Sequence, residues 1–298
     1  MKGAIYTGRG EKIALGREVG RGGEGAVYEI AGTPQRVAKI YQSAPDVRKQ
    51  SKLLFMAATA DKQLLKYTAW PQETLHSSLR GPVVGFVMPR VSDRVPVHVL
   101  YSPAHRRQEY PKLAWDFLLF LARNTAAAFA TLHRHEHVLG DVNQGNVLAG
   151  VDSKVILIDC DSFQVNARGD VHLCEVGVSH FTPPELQSMQ SFQGVRRTFN
   201  HDNFGLALLV FHILFGGRHP YAGVPLTKGA GESLESDIKA FRFAYAKDAS
   251  ARGIAPPRTR SQFLSSLPPF RTCLKGPLQI TGPRMGDLRP KNGWLQLI

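Results

Sequence analysis

The amino-acid sequence predicts an α+β protein of two lobes, a small antiparallel-sheet lobe over residues 1–89 and a larger helical lobe over residues 90–298. Its first third carries short apolar stretches around a glycine cluster: Ile13-Ala14-Leu15, Ala26-Val27-Tyr28 and Val37-Ala38-Lys39-Ile40. Such stretches, bounded by turn residues, read as a meander of antiparallel strands. The β-branched run Pro82-Val83-Val84-Gly85-Phe86-Val87-Met88 is closed by Pro89 and reads as a buried strand entering a stiff connection, the expected lobe boundary. Beyond it the texture becomes helical. Residues 113–132 are rich in Ala, Leu and Phe, and residues 204–215 are apolar on nearly every side, the pattern of a helix inside a core.

The remaining elements follow in order. Residues 47–62, after the breaker Pro45, space their apolar positions as one helix. Asn146-Val147-Leu148 and Val155-Ile156-Leu157-Ile158 read as short strands joined by a turn over residues 150–154. Residues 216–298 are expected to add helices joined by Pro- and Gly-rich links.

Bulk properties narrow the functional classes. With 43% hydrophobic and 20% charged residues among 298, the composition is that of a globular protein. The formal charge of +13 favours anionic partners without choosing among them. Cys160, Cys174 and Cys273 form no C-x-x-C pair, which points to a reducing compartment and a cytoplasmic location and away from a structural zinc site. The apolar helix over residues 204–215 is short of the ~20 residues that span a bilayer, and the start lacks the apolar region of a secretory signal.

Gly20-Arg21-Gly22-Gly23-Glu24-Gly25-Ala26-Val27 is a G-x-G-x-x-G string between two strands. Glycines let backbone amides approach anionic oxygen closely, although the same string also fits a mobile hairpin turn. A dinucleotide-binding reading needs a helix to open at these glycines, and strands follow instead. Lys39 on the next strand is either a cation for phosphate oxygens or a solvated lysine. Asp141 and Asn146 share a loop between helix and strand, and Asp159 follows the strand over residues 155–158. A carboxylate to orient a hydroxyl and oxygen ligands for Mg²⁺ are what phosphoryl transfer requires; an Asx-rich turn is the plainer alternative.

The ordered set resembles the eukaryotic-type protein kinase family. Gly20 to Val27 is similar to its glycine-rich loop, Val37-Ala38-Lys39 to its lysine strand, Asp141 to Asn146 to its catalytic loop and Asp159-Cys160-Asp161 to its D-F-G element. Pro183-Pro184-Glu185 resembles A-P-E, His201-Asp202-Asn203-Phe204-Gly205 resembles the start of the buried helix αF, and Arg289-Pro290 the arginine that pairs with the A-P-E glutamate. The resemblance implies a bilobal protein-kinase-like fold that binds ATP and Mg²⁺ in the cleft. It implies Gly20, Gly22 and Gly25 over the phosphates, Lys39 on their oxygens, and Met88, Pro89, Arg90 and Val91 as the hinge beside adenine. Val27, Ala38 and Leu148 would sandwich the ring, Asp141 would orient the acceptor hydroxyl, and Asn146 and Asp159 would hold Mg²⁺. Ala69-Trp70-Pro71-Gln72-Glu73-Thr74-Leu75 and Gly217-Arg218-His219-Pro220-Tyr221-Ala222-Gly223 resemble a bacterial Ser/Thr branch with helix-hairpin-helix tails and with phosphatase and von Willebrand A-type partners.

Departures from that pattern are specific. Leu139 and Gly140 replace the histidine and arginine before the catalytic aspartate, Asn143 stands where a lysine is usual, and D-F-G becomes Asp159-Cys160-Asp161. No glutamate occurs between Lys39 and Glu73, so Gln50 or Asp61 becomes the expected partner of Lys39, and Asp161 an added charge near the metal. These departures keep open a nucleotide-binding pseudokinase or scaffold. A small-molecule kinase is disfavoured by Glu185 and Arg289.

Three further features bear on function. His133, His135 and His137 alternate at a helix end, where helical geometry sends them to different faces and disfavours a zinc site. Ser162, Ser179 and Thr182 are loop hydroxyls that hydrogen-bond or accept phosphate. The basic positions Arg252, Arg258, Arg260, Arg271, Lys275, Arg284 and Lys291 lack interleaved aromatics and read as a solvated face, with no membrane and no nucleic acid as partner.

Overall fold

The computed structural model describes residues 4–257. Strands β1 (Ile5–Thr7), β2 (Lys12–Ile13), β3 (Leu15–Arg21), β4 (Gly25–Ile30), β5 (Arg36–Tyr41), β6 (Glu73–His76) and β7 (Val83–Pro89) form one sheet. Their order is β2-β1-β6-β7-β5-β4-β3, with every neighbouring pair antiparallel. The meander expected from the glycine cluster is its β3-β4-β5 part, while β1, β2 and β6 extend the sheet beyond it.

The helix expected over residues 47–62 is α1 (Val47–Ala58), which ends four residues earlier, and a further helix that was not expected, α2 (Lys62–Tyr67), follows it. Asp46 caps α1 through the Lys49 amide at 2.7 Å, and Asp61 caps α2 through the Gln63 and Leu64 amides, both at 2.8 Å. An aspartate in extended backbone satisfies the free amides of a following helix better than it continues a preceding one, so the chain restarts at Asp61.

After β7 come β8 (Val95–Pro96), α3 (Val97–Tyr101), α4 (Pro103–Glu109) and the long α5 (Trp115–Arg134), shifted slightly from the expected 113–132. β9 (Val147–Ala149) and β10 (Val155–Leu157) pair antiparallel and join β8 in a small sheet. The hairpin β11 (Val165–Ala167) and β12 (Asp170–His172) packs against α1. Helix α6 (Phe199–Leu214) begins at a capping box: the Thr198 hydroxyl accepts from the His201 amide, and the His201 ring accepts from the Thr198 amide. β13 (Val224–Pro225), α7 (Leu234–Lys239) and β14 (Ile254–Ala255) complete the described chain.

One core joins Phe129 and Leu132 of α5, Val147 of β9, Leu157 of β10 and Leu209 and Ile213 of α6, all fully buried. Each such side chain contributes about 1.5–3 kcal/mol by leaving water. Met56 of α1 and Trp70 belong to the same cluster, and the Trp70 indole donates to the Met56 carbonyl at 2.9 Å, so α1 is seated on the helical lobe. Among the described residues no helix is long and apolar enough to cross a membrane. Arg289, Cys273 and the basic positions beyond residue 257 lie outside the described residues.

Candidate active site

The glycine string is the turn between β3 and β4, as expected. The Gly22 amide donates to the Gly25 carbonyl at 2.8 Å, and the tip over residues 20–24 is exposed. Nothing lies within 4 Å of where a Cβ on Gly20, Gly22 or Gly23 would point, so the flap has open space beside it. Gly25 is different: a Cβ there would run into the Ile40 carbonyl of the next strand.

Lys39 on β5 meets the residues that follow β10. Its ammonium donates to Asp159 Oδ1 at 3.0 Å and to both Asp161 carboxylate oxygens, at 2.7 and 2.8 Å. Burial by itself lowers the Lys39 pKa, but the Asp161 and Asp159 charges outweigh it and hold it well above the ordinary lysine value. The two acids differ in access. The Asp159 side chain is 45% exposed and that of Asp161 1%, so Asp159 faces the cleft and Asp161 lies beneath it. Asp159 adopts left-handed backbone, φ 58°, a conformation costly for a non-glycine residue and frequent at functional sites.

The expectation that Gln50 or Asp61 partners Lys39 is corrected. Gln50 bonds the Pro45 carbonyl and the Val83 amide, and Asp61 caps α2 and meets the His135 ring at 2.9 Å. Helix α1 instead directs lysines at Asp161. Lys52 donates to the Asp161 carbonyl at 2.8 Å, and Lys49 lies 3.8 Å from Asp161 Oδ2 while bonding Glu24 of the flap at 2.6 Å. Tyr41 donates its hydroxyl to Asp161 Oδ2 at 2.6 Å.

The catalytic-loop candidates converge from the other side. The Asn146 amide nitrogen donates to Asp141 Oδ2 at 3.1 Å and to the Asp141 carbonyl at 3.0 Å. Asp141 Oδ1 is buried with no hydrogen-bond partner among the described residues. Burial is the largest influence on Asp141 and raises its pKa against the hydrogen bonds from Asn143 and Asn146. Asn143 shapes the loop itself, its Oδ1 accepting from the Gly145 amide at 2.8 Å and the Asn146 amide at 3.1 Å.

The loop is held from below by Asp202 of α6, which is fully buried. Its carboxylate accepts from the Leu139 amide at 2.7 Å, the Gly140 amide at 2.9 Å and the His133 ring at 2.9 Å. Gly140 has φ +77°, and a Cβ on it would lie 2.6 Å from the Cys174 Cβ. Arg197, buried and stacked on Phe192, donates to the Gly140 carbonyl at 3.3 Å and to that of Val176 at 3.3 Å. A guanidinium thus sits beside the loop although residue 140 is not arginine.

The chain is similar to proteins of known identity. The chain is 63% identical over 268 residues to protein kinase YegI of Escherichia coli O157:H7 and 64% identical over 264 residues to that of Escherichia coli strain K12. It is covered to 90% and 89% in these matches but spans only 41% of either relative. Among solved structures, the ROP18 kinase domain in complex with AMP-PNP and sucrose matches with a TM-score of 0.51 at 15% identity, covering 73% of this chain and 68% of that one. A Toxoplasma gondii specific rhoptry antigen kinase domain matches with a TM-score of 0.52 at 15% identity, covering 89% of this chain and 87% of that one.

These matches support a protein kinase family for the chain. Its fold is the bilobal kinase fold, a curled antiparallel sheet above a helical lobe. No family model matches the chain.

Within this kinase fold the expected ring-facing residues divide. Val27 pairs with Lys39 across β4 and β5 and so shares its face of the sheet. Ala38 does not. Successive strand residues point to opposite faces, and Ala38 is fully buried with Ile5, Ile30, Ile40 and Val87 on the side away from Lys39. Val37, which shares the parity of Lys39, replaces Ala38 on the cleft face. Leu148 is half-buried and turned opposite to its buried neighbours Val147 and Ala149. Met88 packs on the cluster of Tyr41, Leu53 and Phe86, Pro89 ends β7, Arg90 pairs with Glu29 at 3.2 Å, and Val91 is half-buried beyond the strand.

The histidines at the end of α5 go separate ways. His133 bonds Asp202, His135 bonds Asp61, and His137 stacks on Trp70 at 5.1 Å between ring centroids. Glu185, expected to pair with Arg289, lies 3.5 Å from His201 among the described residues. Asp202, Arg197 and Tyr41 had no assigned role from sequence, and Asp161 had a different one. One signal pointed to Asp161: a helix without any acid beside an aspartate in excess of the usual pattern.

Proposed function

We propose that this domain is an ATP- and Mg²⁺-dependent protein kinase acting on serine or threonine. One observation carries the reading: Lys39 and Asp159 touch at 3.0 Å, the Asn146 side chain donates to Asp141 Oδ2 at 3.1 Å, and the Ile158 amide next to Asp159 donates to the Asn146 backbone carbonyl at 3.0 Å. The residues fit the absent groups. Open space at Gly20, Gly22 and Gly23 admits phosphates, and the exposed Asp159 carboxylate and the side-chain Oδ1 of Asn146, whose Nδ2 serves Asp141, suit a hard cation. Bound Mg²⁺ would offset the negative charge of the phosphates.

Lys39 would hold phosphate oxygens, and Asp159 with Asn146 would hold Mg²⁺. Asn146 fixes Asp141 through Oδ2, and the carboxylate so held accepts a hydrogen bond from the acceptor hydroxyl and then its proton. Val27, Val37 and Leu148 flank the base, with residues 88–91 at its edge. A cleft of about 470 Å³ beside Asn143 and Gln144, walled by Phe181, His212 and His219, is room for an acceptor segment of a protein substrate. Phosphatase and von Willebrand A-type partners and a cytoplasmic setting rest on the family resemblance and the cysteine pattern.

The missing acid on α1 and the double grip of carboxylates on Lys39 favour a second reading, a pseudokinase that binds nucleotide without turnover. Purified protein with Mg²⁺ and labelled ATP, compared with Asp141→Ala and Asp159→Asn, separates the readings. The kinase transfers label and both variants lose it while staying folded; binding without transfer in the wild type establishes the pseudokinase instead.

A further inference from the structure

Helix α1 has no carboxylate in its entire length, and the side chains it sends toward Asp161, the partner of Lys39, are themselves cations, Lys49 and Lys52. The counterion of Lys39 arrives from the other lobe, 122 residues along the chain. Asp161 chelates the ammonium through both oxygens, its Oδ2 also receives the Tyr41 hydroxyl, and its carbonyl receives Lys52. With a side chain 1% exposed it is closed to metal and water, whereas Asp159 at 45% is open to both. Of the two acids on Lys39, only Asp159 is placed to exchange partners when phosphates arrive; Asp161 stays.

We propose that Asp161 is the positioning residue that holds Lys39 for the phosphates of the nucleotide, a task moved from α1 to the segment after β10. This rests on the nucleotide-binding reading above. The registry of Lys39 then follows the seating of that segment on α1. Lys52 on the Asp161 carbonyl and Arg48, which donates to the Val171 carbonyl of β12 at 2.9 Å, make that seat. The charges are inverted rather than lost: Lys52 stands over Asp161 where an acid on α1 would otherwise face Lys39.

The inversion can be undone. Binding of a fluorescent ATP analogue with Mg²⁺ is measured for wild type, Asp161→Asn, Asp161→Gly and the double variant Asp161→Gly/Lys52→Glu, with melting temperatures as a folding control. Asp161→Asn and Asp161→Gly are expected to bind about tenfold or more weakly, the scale of losing one buried charge partner. The double variant, which returns an acid to α1, is expected to recover at least ~3-fold over Asp161→Gly, a rescue that a merely structural role would not produce. Tyr41→Phe, a milder change, is expected to weaken binding ~5-fold by freeing Asp161, and decides the matter should the Asp161 variants not fold. Wild type that binds beside Asp161→Asn that binds within ~2-fold of it, or a double variant no tighter than Asp161→Gly, overturns the inference alone. Wild type that does not bind overturns the nucleotide reading and this inference with it.

Discussion

Lys39 Nζ lies 3.0 Å from Asp159 Oδ1, which brings a cation on the sheet and a carboxylate beyond β10 to the same cleft. Because Asp159 is the exposed member of the pair of acids on Lys39, Asp159→Asn should keep the fold and lose metal-dependent transfer. Titrating Mg²⁺ at fixed ATP checks this: the variant should need far more metal or show no transfer, with a melting temperature near that of wild type.

Asp141 should act as a base whose acid limb is displaced. Its burial raises the pKa, and a base must be ionised to accept a proton, so the rate falls as pH drops through a value above the ordinary carboxylate range. A pH profile of kcat/KM shows the limb, and Asp141→Ala should cost about 10²–10⁴ in kcat with little change in nucleotide affinity.

Asp202 stabilises the loop rather than the chemistry. Its buried carboxylate satisfies the Leu139 and Gly140 amides and the His133 ring. Asp202→Ala strands buried donors at about 1–3 kcal/mol each, so urea denaturation should show a loss of about 3 kcal/mol or more.

Gly140→Ala should destabilise for two separable reasons. Left-handed backbone costs a residue with a Cβ about 1–2 kcal/mol, and that Cβ would press on the Cys174 Cβ at 2.6 Å and Sγ at 2.7 Å. The double variant Gly140→Ala/Cys174→Gly removes the collision and keeps the backbone cost, so a double-mutant cycle should show strong coupling.

Lys52 should make stability depend on pH. Burial lowers its pKa from 10.5 to about 8, only partly offset by Asp161. Below pH 8 it is charged folded and unfolded, and the full cost of burying the charge is present. Between about pH 8 and 10.5 the unfolded chain binds more protons than the folded one, so stability rises with pH, by about 3 kcal/mol in all. Unfolding free energies of wild type minus those of Lys52→Met should climb across this window and stay flat on either side.

Local order was legible without coordinates. Strand patterning placed the glycine turn between β3 and β4, Lys39 on the next strand, Asp141 and Asn146 in one loop, and Asp159 after β10, because each is set by backbone propensities and spacing within a few residues. The face of Ala38 is equally a matter of spacing: a period of two sets it opposite Lys39 and puts Val37 on the face of Lys39. The break between α1 and α2 turned on whether Asp61 would cap or continue, which the aspartate decides through its own side chain.

The sequence by itself determined the fold class and the elements on which Lys39, Asp141, Asn146 and Asp159 lie. Which charge answers which was decided only by the tertiary structure. Ion pairing depends on distance and burial, and neither is a property of spacing along a chain. Lys39 finds Asp161 across 122 residues because the packed lobes bring β5 and the segment after β10 together, and Arg197 reaches the Gly140 carbonyl from its buried place against Phe192. Every carboxylate and ammonium was visible in the sequence, but only the packed lobes removed the water that would have kept their partners interchangeable.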